Sequence, residues 1–98
     1  KQKRVISAKE VIKIIADFYN IDEENIYRKT RKKEIIKPRQ VTMYLLREDF
    51  NISYPSIGEK LGGRDHATII HSCEKIKNEL KGNILLGQEL NQIRALLI

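Results

Sequence analysis

Residues 55–80 read PSIGEKLGGRDHATIIHSCEKIKNEL. Pro55 suits the opening of a short helix through Leu61, in which Ile57 and Leu61 lie one turn apart on the same face. Gly62-Gly63 stops that helix, because glycine takes the left-handed conformation that ends helices without a steric cost. Asp65 is then a good N-cap for a longer helix reaching about Leu80. Along it Ile69, Cys73, Ile76 and Leu80 recur at i, i+4, i+7 and i+11 as a buried stripe, with Cys73 as a small hydrophobe rather than a redox group. A short helix, a tight turn and a longer capped helix outline a helix-turn-helix. The second helix carries Thr68, His71, Ser72 and Lys75 on its other face, led by Arg64, Asp65, His66 and Ala67. Such groups suit base edges: a carboxylate accepts from cytosine, an imidazole donates to a purine, and a methyl packs on the thymine methyl. The free N–H groups of the helix N-terminus favour phosphate. Asp65 has a place there as a plain cap, as a base contact, or as both.

Upstream of this stretch, Ser7-Ala8-Lys9-Glu10 is a capping box, and Val11, Ile14, Ile15 and Phe18 follow it as one apolar stripe ending near Asn20. Asp22 caps a further short turn anchored by Ile21 and Ile26. Arg28 to Lys33 has no apolar residue to hold it down and reads as an exposed loop. Pro38 suits the first turn of the next helix, with Val41, Leu45 and Leu46 as its apolar positions up to about Asp49. Downstream, Gly82 and Asn83 precede a last helix carrying Leu86, Leu90, Ile93 and Leu97. No strand-like alternation persists. The reading is one all-α domain of about six helices over residues 7–98, with residues 1–6 as the end of an interdomain connector.

At 98 residues the chain supports one small core. It has no apolar run long enough to span a membrane, and its single cysteine excludes an internal disulfide framework and a multi-cysteine zinc site, which fits a reducing compartment. The net charge of +6 is unevenly spread. Residues 1–40 hold 12 Lys+Arg against 6 Asp+Glu, and the remainder is balanced at 7 against 7. Arg28, Lys29, Arg31, Lys32, Lys33, Lys37 and Arg39 face a single anion, Glu34, so a polyanion is the natural partner unless the run is only a solvated basic loop. An enzyme finds little support. His66 and His71 stand five apart, off the i, i+3 or i+4 spacing of helical metal ligands, and there is no P-loop motif. Neither catalytic residues nor a metal site are expected.

The run Gly62-Gly63-Arg64-Asp65-His66-Ala67-Thr68-Ile69-Ile70-His71-Ser72, with Lys75-Ile76 after it and Lys37-Pro38-Arg39-Gln40 before it, resembles the C-terminal DNA-binding domain (domain IV) of the bacterial chromosomal replication initiator DnaA. The resemblance covers nearly the whole chain. It implies a Trp-repressor-like helix-turn-helix core and a cytoplasmic, nucleoid-associated bacterial protein that binds duplex DNA at DnaA boxes, TTATNCACA-like, at the replication origin. It implies base reading by Asp65, His66, Ala67 and Thr68 in the major groove and by Arg31 in the adjacent minor groove. Backbone contacts would come from Lys33, Arg39, Gln40, Arg47, Tyr54, Pro55, Arg64, His71 and Lys75, with Tyr54 and Pro55 acting through main-chain groups. The fragment would bind as a monomer without a cofactor. ATP would belong to an upstream AAA+ module, and the full-length protein would oligomerise at the origin. Two positions depart from the family pattern: Ala67 replaces the usual threonine and loses its hydroxyl, and Tyr54 replaces a side chain that is more commonly aliphatic.

Two other readings fit the outline. One is a dimeric helix-turn-helix repressor using the last helix as its interface, on half-sites about one turn apart. The other is a protein-interaction domain whose basic loop binds an acidic partner.

Overall fold

The computed structural model describes residues 6–98, and these form six helices. They are α1 (Ala8–Phe18), α2 (Glu24–Tyr27), α3 (Lys33–Glu48), α4 (Tyr54–Lys60), α5 (His66–Leu80) and α6 (Ile84–Leu96). No strand occurs among the described residues. Of the expected connector, residues 1–5 lie outside the described ones, and Ile6 packs half-buried against the core.

Local signals place most helix ends. Ser7 and Glu10 form both halves of the capping box: the Glu10 N–H donates to Ser7 Oγ, and the Ser7 N–H donates to Glu10 Oε1, each at 3.2 Å. Asp22 Oδ1 accepts from the Glu24 N–H at the start of α2. Ser53 caps α4 through the Ser56 N–H, with Pro55 just inside. Asn20 and Asn51 take φ of +57° and +54° where α1 and α3 run out.

The start of α3 differs from the expectation built on Pro38. The helix begins five residues earlier, at Lys33, so Pro38 lies inside it. Ile35 explains the extension. It is 2% exposed, and burying it fixes a turn ahead of Pro38 that the proline signal alone would leave as loop. The basic loop therefore covers only Arg28 to Lys32, and Lys33 opens the helix.

The long α3 runs through the middle of the molecule, with α5, α1, α2 and α4 packed on it. Val41, Leu45 and Leu46 of α3 meet Val11 and Ile15 of α1, Ile57 and Leu61, and Ile69 and Ile76 of α5 in one core. The last helix, α6, closes over α1 and α5 with Leu86, Leu90 and Ile93. Polar ties help hold it: Tyr19 Oη donates to Glu89 Oε2 at 2.5 Å, and Arg94 grips Asp49 through Nε and Nη2 at 2.8 and 3.1 Å.

Candidate nucleic-acid interface

The α4–α5 pair is a helix-turn-helix. Gly62 and Gly63 adopt φ of +84° and +78° in its turn, a region that costs other residues about 1–2 kcal/mol. The Gly63 and Arg64 N–H groups both donate to the Gly58 carbonyl, at 2.9 and 2.8 Å. The turn passes so close to α4 that a Cβ on Gly58 would stand 2.1 Å from the Arg64 carbonyl oxygen. Gly58 is thus required by the motif, since any Cβ there would meet backbone of the turn.

Facing away from the core, α5 presents His66, Ala67, Thr68, His71 and Lys75, all exposed. Asp65 occupies the N-cap position, but its side chain accepts no backbone N–H; the Thr68 and Ile69 N–H groups bond its main-chain carbonyl instead. The exposed carboxylate is left for other partners, with His66 Nδ1 3.6 Å away. Ser72 departs from the expected exposed face: it is 9% exposed, because it flanks the stripe of Ile69, Cys73 and Ile76. Leu80, the last member of that stripe, is only half-buried. Burial pushes the Cys73 thiol up to about 11, so it packs as a neutral group.

The loop from Arg28 to Lys32 stands beside the N-terminus of α5. Lys29, Arg31 and Arg64 line one cleft of about 380 Å³ with Asp65 and Thr68, so the loop cations and the first turn of α5 share one concave surface. Arg31 itself is exposed.

Arg39 does not face outward as a phosphate contact would require. It is 8% exposed, and its guanidinium is spent on backbone carbonyls: Nε donates to Ile26 O at 3.2 Å, Nη1 to Thr30 O at 3.0 Å, and Nη2 to Asn25 O and Arg28 O at 2.9 and 2.7 Å. The reason lies in the helical phase, since Arg39 falls four residues after Ile35 and four before Met43, both buried. That phase was the available signal. Arg64 reaches the same carbonyls from the other side, donating to Ile26 O, Tyr27 O and Arg28 O, and to Leu61 O at the end of α4. Burial lowers both guanidinium pKa values, and the charge of Arg39 lowers that of Arg64 further. Both stay protonated nonetheless, as arginine does throughout the accessible pH range.

The remaining cations divide between two other places. Lys33, Gln40 and Lys75 line a groove between α3 and α5, with Lys37 bound there to Glu79 at 2.9 Å. Lys33 is exposed and Gln40 half-buried. At the opposite end of α3, the Arg47 guanidinium lies 4.6 Å above the Tyr54 ring and donates to Ile52 O at 3.4 Å. The Tyr54 side chain, set aside in the sequence reading, thus holds Arg47 beside the start of α4, where Pro55 is exposed.

The model of the bacterial DnaA protein helix-turn-helix matches residues 8–76. The chromosomal replication initiator protein DnaA of Limosilactobacillus reuteri is 43% identical over 93 residues, 95% of this chain and 21% of that protein. Its counterpart in Chloroflexus aurantiacus is 40% identical over 94 residues, 96% of this chain and 20% of that one. The chain thus spans about a fifth of the length of the curated relatives it matches. A crystal structure of a DNA replication initiation factor is similar in fold, with a TM-score of 0.79 at 25% identity, over 93% of this chain and 29% of the other. An all-α fold built on a Gly-Gly turn, matched from α1 through most of α5, leaves one assignment: the chain belongs to the bacterial DnaA helix-turn-helix family.

Proposed function

We propose that this domain binds duplex DNA at DnaA boxes, TTATNCACA-like, in the initiation of bacterial chromosome replication. One molecule suffices and no ATP is needed, and the work is done in the cytoplasm on the nucleoid. The N-terminal turn of α5 enters the major groove with Asp65, His66, Ala67 and Thr68 toward base edges, and Arg31 enters the adjacent minor groove. His71, Lys75, Lys33, Gln40, Arg47 and the start of α4 at Tyr54 and Pro55 meet the sugar-phosphate strands. The observation that carries this reading is the cleft shared by the basic loop and the first turn of α5, which lets one molecule reach two neighbouring grooves.

The chemistry of the exposed groups supports the same division of labour. His66 and Thr68 are exposed hydrogen-bonding groups on the first turn, and the Asp65 carboxylate is not consumed by capping. Lys75 is an exposed cation two turns further along, suited to a phosphate and carrying no sequence information.

The test compares a box duplex with a random duplex at one salt concentration. His66→Ala should cost about 1–3 kcal/mol on the box and much less on random DNA. Equal losses on both would remove His66 from base reading. Arg31→Ala should weaken the box with its A·T end intact more than a box whose A·T end is changed to G·C. Equal weakening would leave the loop as an electrostatic anchor only.

A dimeric reading keeps one observation in its favour, since Ile84, Leu85, Leu96 and Ile98, on α6 and just after it, are 78, 75, 51 and 44% exposed. Sedimentation of the complex decides between the two. One protein per box supports the monomer, and two per site would favour the repressor-like dimer.

A further inference from the structure

We propose that Arg39 and Arg64 are positioning residues that lock the basic loop to the reading helix, so that Arg31 and α5 are held at one fixed separation. The inference rests on the minor-groove reading of Arg31 given above, and its test separates the two.

The geometry is specific. The carbonyls of Asn25, Ile26, Tyr27, Arg28 and Thr30 point inward from the end of α2 and the loop, and two guanidiniums receive them. The guanidiniums come from different elements. Arg39 is in the second turn of α3, and Arg64 is in the turn directly before α5. They share two acceptors: Ile26 O takes Arg39 Nε at 3.2 Å and Arg64 Nη1 at 3.4 Å, and Arg28 O takes both Nη2 groups, at 2.7 and 2.6 Å. Arg64 also bonds Leu61 O, so a single side chain joins the end of α4, the loop and the start of α5. Gly62 brings the backbone itself against the same segment, since a Cβ there would lie 2.5 Å from Tyr27 O.

Only guanidinium suits this task. Five N–H groups in a rigid plane serve several carbonyls at once, whereas a lysine ammonium is a compact charge on a flexible stem. The arrangement is costly, with two like charges brought close and partly desolvated. Among the described residues neither guanidinium forms an ion pair with a carboxylate, and the charge of Arg39 lowers the Arg64 pKa. Holding a loop of five residues in place is the return the geometry offers for that cost. An arm tied in this way presents Arg31 at a set distance from His66 and Thr68, which fixes how far apart the two grooves are read.

The experiment uses Arg39→Lys and Arg64→Lys, which keep charge and lose the fork, each alone and combined with Arg31→Ala. Affinity is measured on a box duplex with an intact A·T end, and far-UV circular dichroism checks folding. Arg31→Ala should weaken the wild-type protein about tenfold. In either lysine background it should weaken binding by less than about threefold, because the loop no longer delivers the arginine. The same loss in all backgrounds overturns the positioning role. A second readout needs no DNA: backbone order parameters at Lys29, Thr30, Arg31 and Lys32 should fall from about 0.85 to below about 0.6 in the lysine variants. Unchanged order parameters overturn the proposal, whatever Arg31 does on DNA. If Arg31→Ala costs nothing in the wild type, the minor-groove reading fails, and the order parameters still decide the role of the two arginines. Should Arg39→Lys lose its helical signal, the half-buried Arg64 carries the comparison.

Discussion

Replacing Gly58 by alanine sets helix propensity against contact geometry. In a free helix interior, alanine is more favourable than glycine by about 0.8–1 kcal/mol. At Gly58 the new Cβ would stand 2.1 Å from the Arg64 carbonyl oxygen and 3.2 Å from its carbon, whereas ordinary contacts lie at 3.4–4 Å. That oxygen is backbone and cannot rotate away alone, because the Gly63 and Arg64 N–H groups are bonded to the Gly58 carbonyl. Relief requires the turn to retreat from α4. Overpacking of this kind costs about 1–3 kcal/mol, and weakening two backbone hydrogen bonds adds about 0.5–1.5 kcal/mol each. After the propensity gain the net loss is about 1–5 kcal/mol, or a fall in Tm of roughly 5–25 °C at this chain length. Gly87 supplies the control, since nothing lies within 4 Å of its added Cβ on α6. Gly87→Ala should raise stability by about 0.5–1 kcal/mol. Urea unfolding followed by far-UV circular dichroism measures both. If Gly58→Ala proves as stabilising as Gly87→Ala, the close approach of α4 and the turn is not a constraint.

Lys75→Ala should weaken box and random duplexes by the same factor, measured by fluorescence anisotropy, and a loss confined to the box would make Lys75 a base reader. With its pKa near 11, the Cys73 thiolate is roughly a hundredfold scarcer at pH 8 than that of an ordinary thiol, so iodoacetamide should modify the native protein slowly and the urea-unfolded protein quickly. Rapid native modification would contradict the burial of Cys73. The Tyr19 phenol is raised far above its usual value by burial first, then by its bond to Glu89 and that carboxylate's charge. Its contribution to stability is complete below about pH 10 and is lost as the pH climbs toward the folded value. Urea midpoints should therefore fall above about pH 10 less steeply for Tyr19→Phe than for the wild type, and equal slopes would separate Tyr19 from the alkaline transition.

What could be read from the sequence was local. The Ser7–Glu10 box, the Gly62-Gly63 stop and the Ile69, Cys73, Ile76 stripe each depend on residues within a few positions of one another, and each lies where its pattern places it. The start of α3 was illegible because Pro38 is a strong local signal and Ile35 a tertiary one; burial of Ile35 outweighed the proline. The inward placement of Arg39 is hidden for a related reason. A cation in a basic run reads as surface, and only its phase with Ile35 and Met43 shows that it turns inward to carbonyls brought there by α2. Asp65 and Ser72 differ from expectation on a smaller scale, through the choice of one cap acceptor and a helix face shifted by one position.

The fate of the basic run has a consequence for how binding depends on ions. Each phosphate neutralised releases condensed counterions, so the logarithm of the binding constant falls against the logarithm of salt concentration by about 0.9 per contact. Counted along the sequence, Arg28 to Arg39 offers seven cations, which would imply a slope of about −6 from this segment alone. In the fold, Arg39 is internal, Lys37 is engaged by Glu79, and Arg28 leans on Glu24 at 2.9 Å. Lys29, Arg31, Lys32 and Lys33 are exposed and form no ion pair among the described residues, a set worth at most about −3.6. Electrolyte sensitivity of this segment is thus set chiefly by four side chains, since Arg39 is internal and Lys37 and Arg28 are paired with the carboxylates of Glu79 and Glu24.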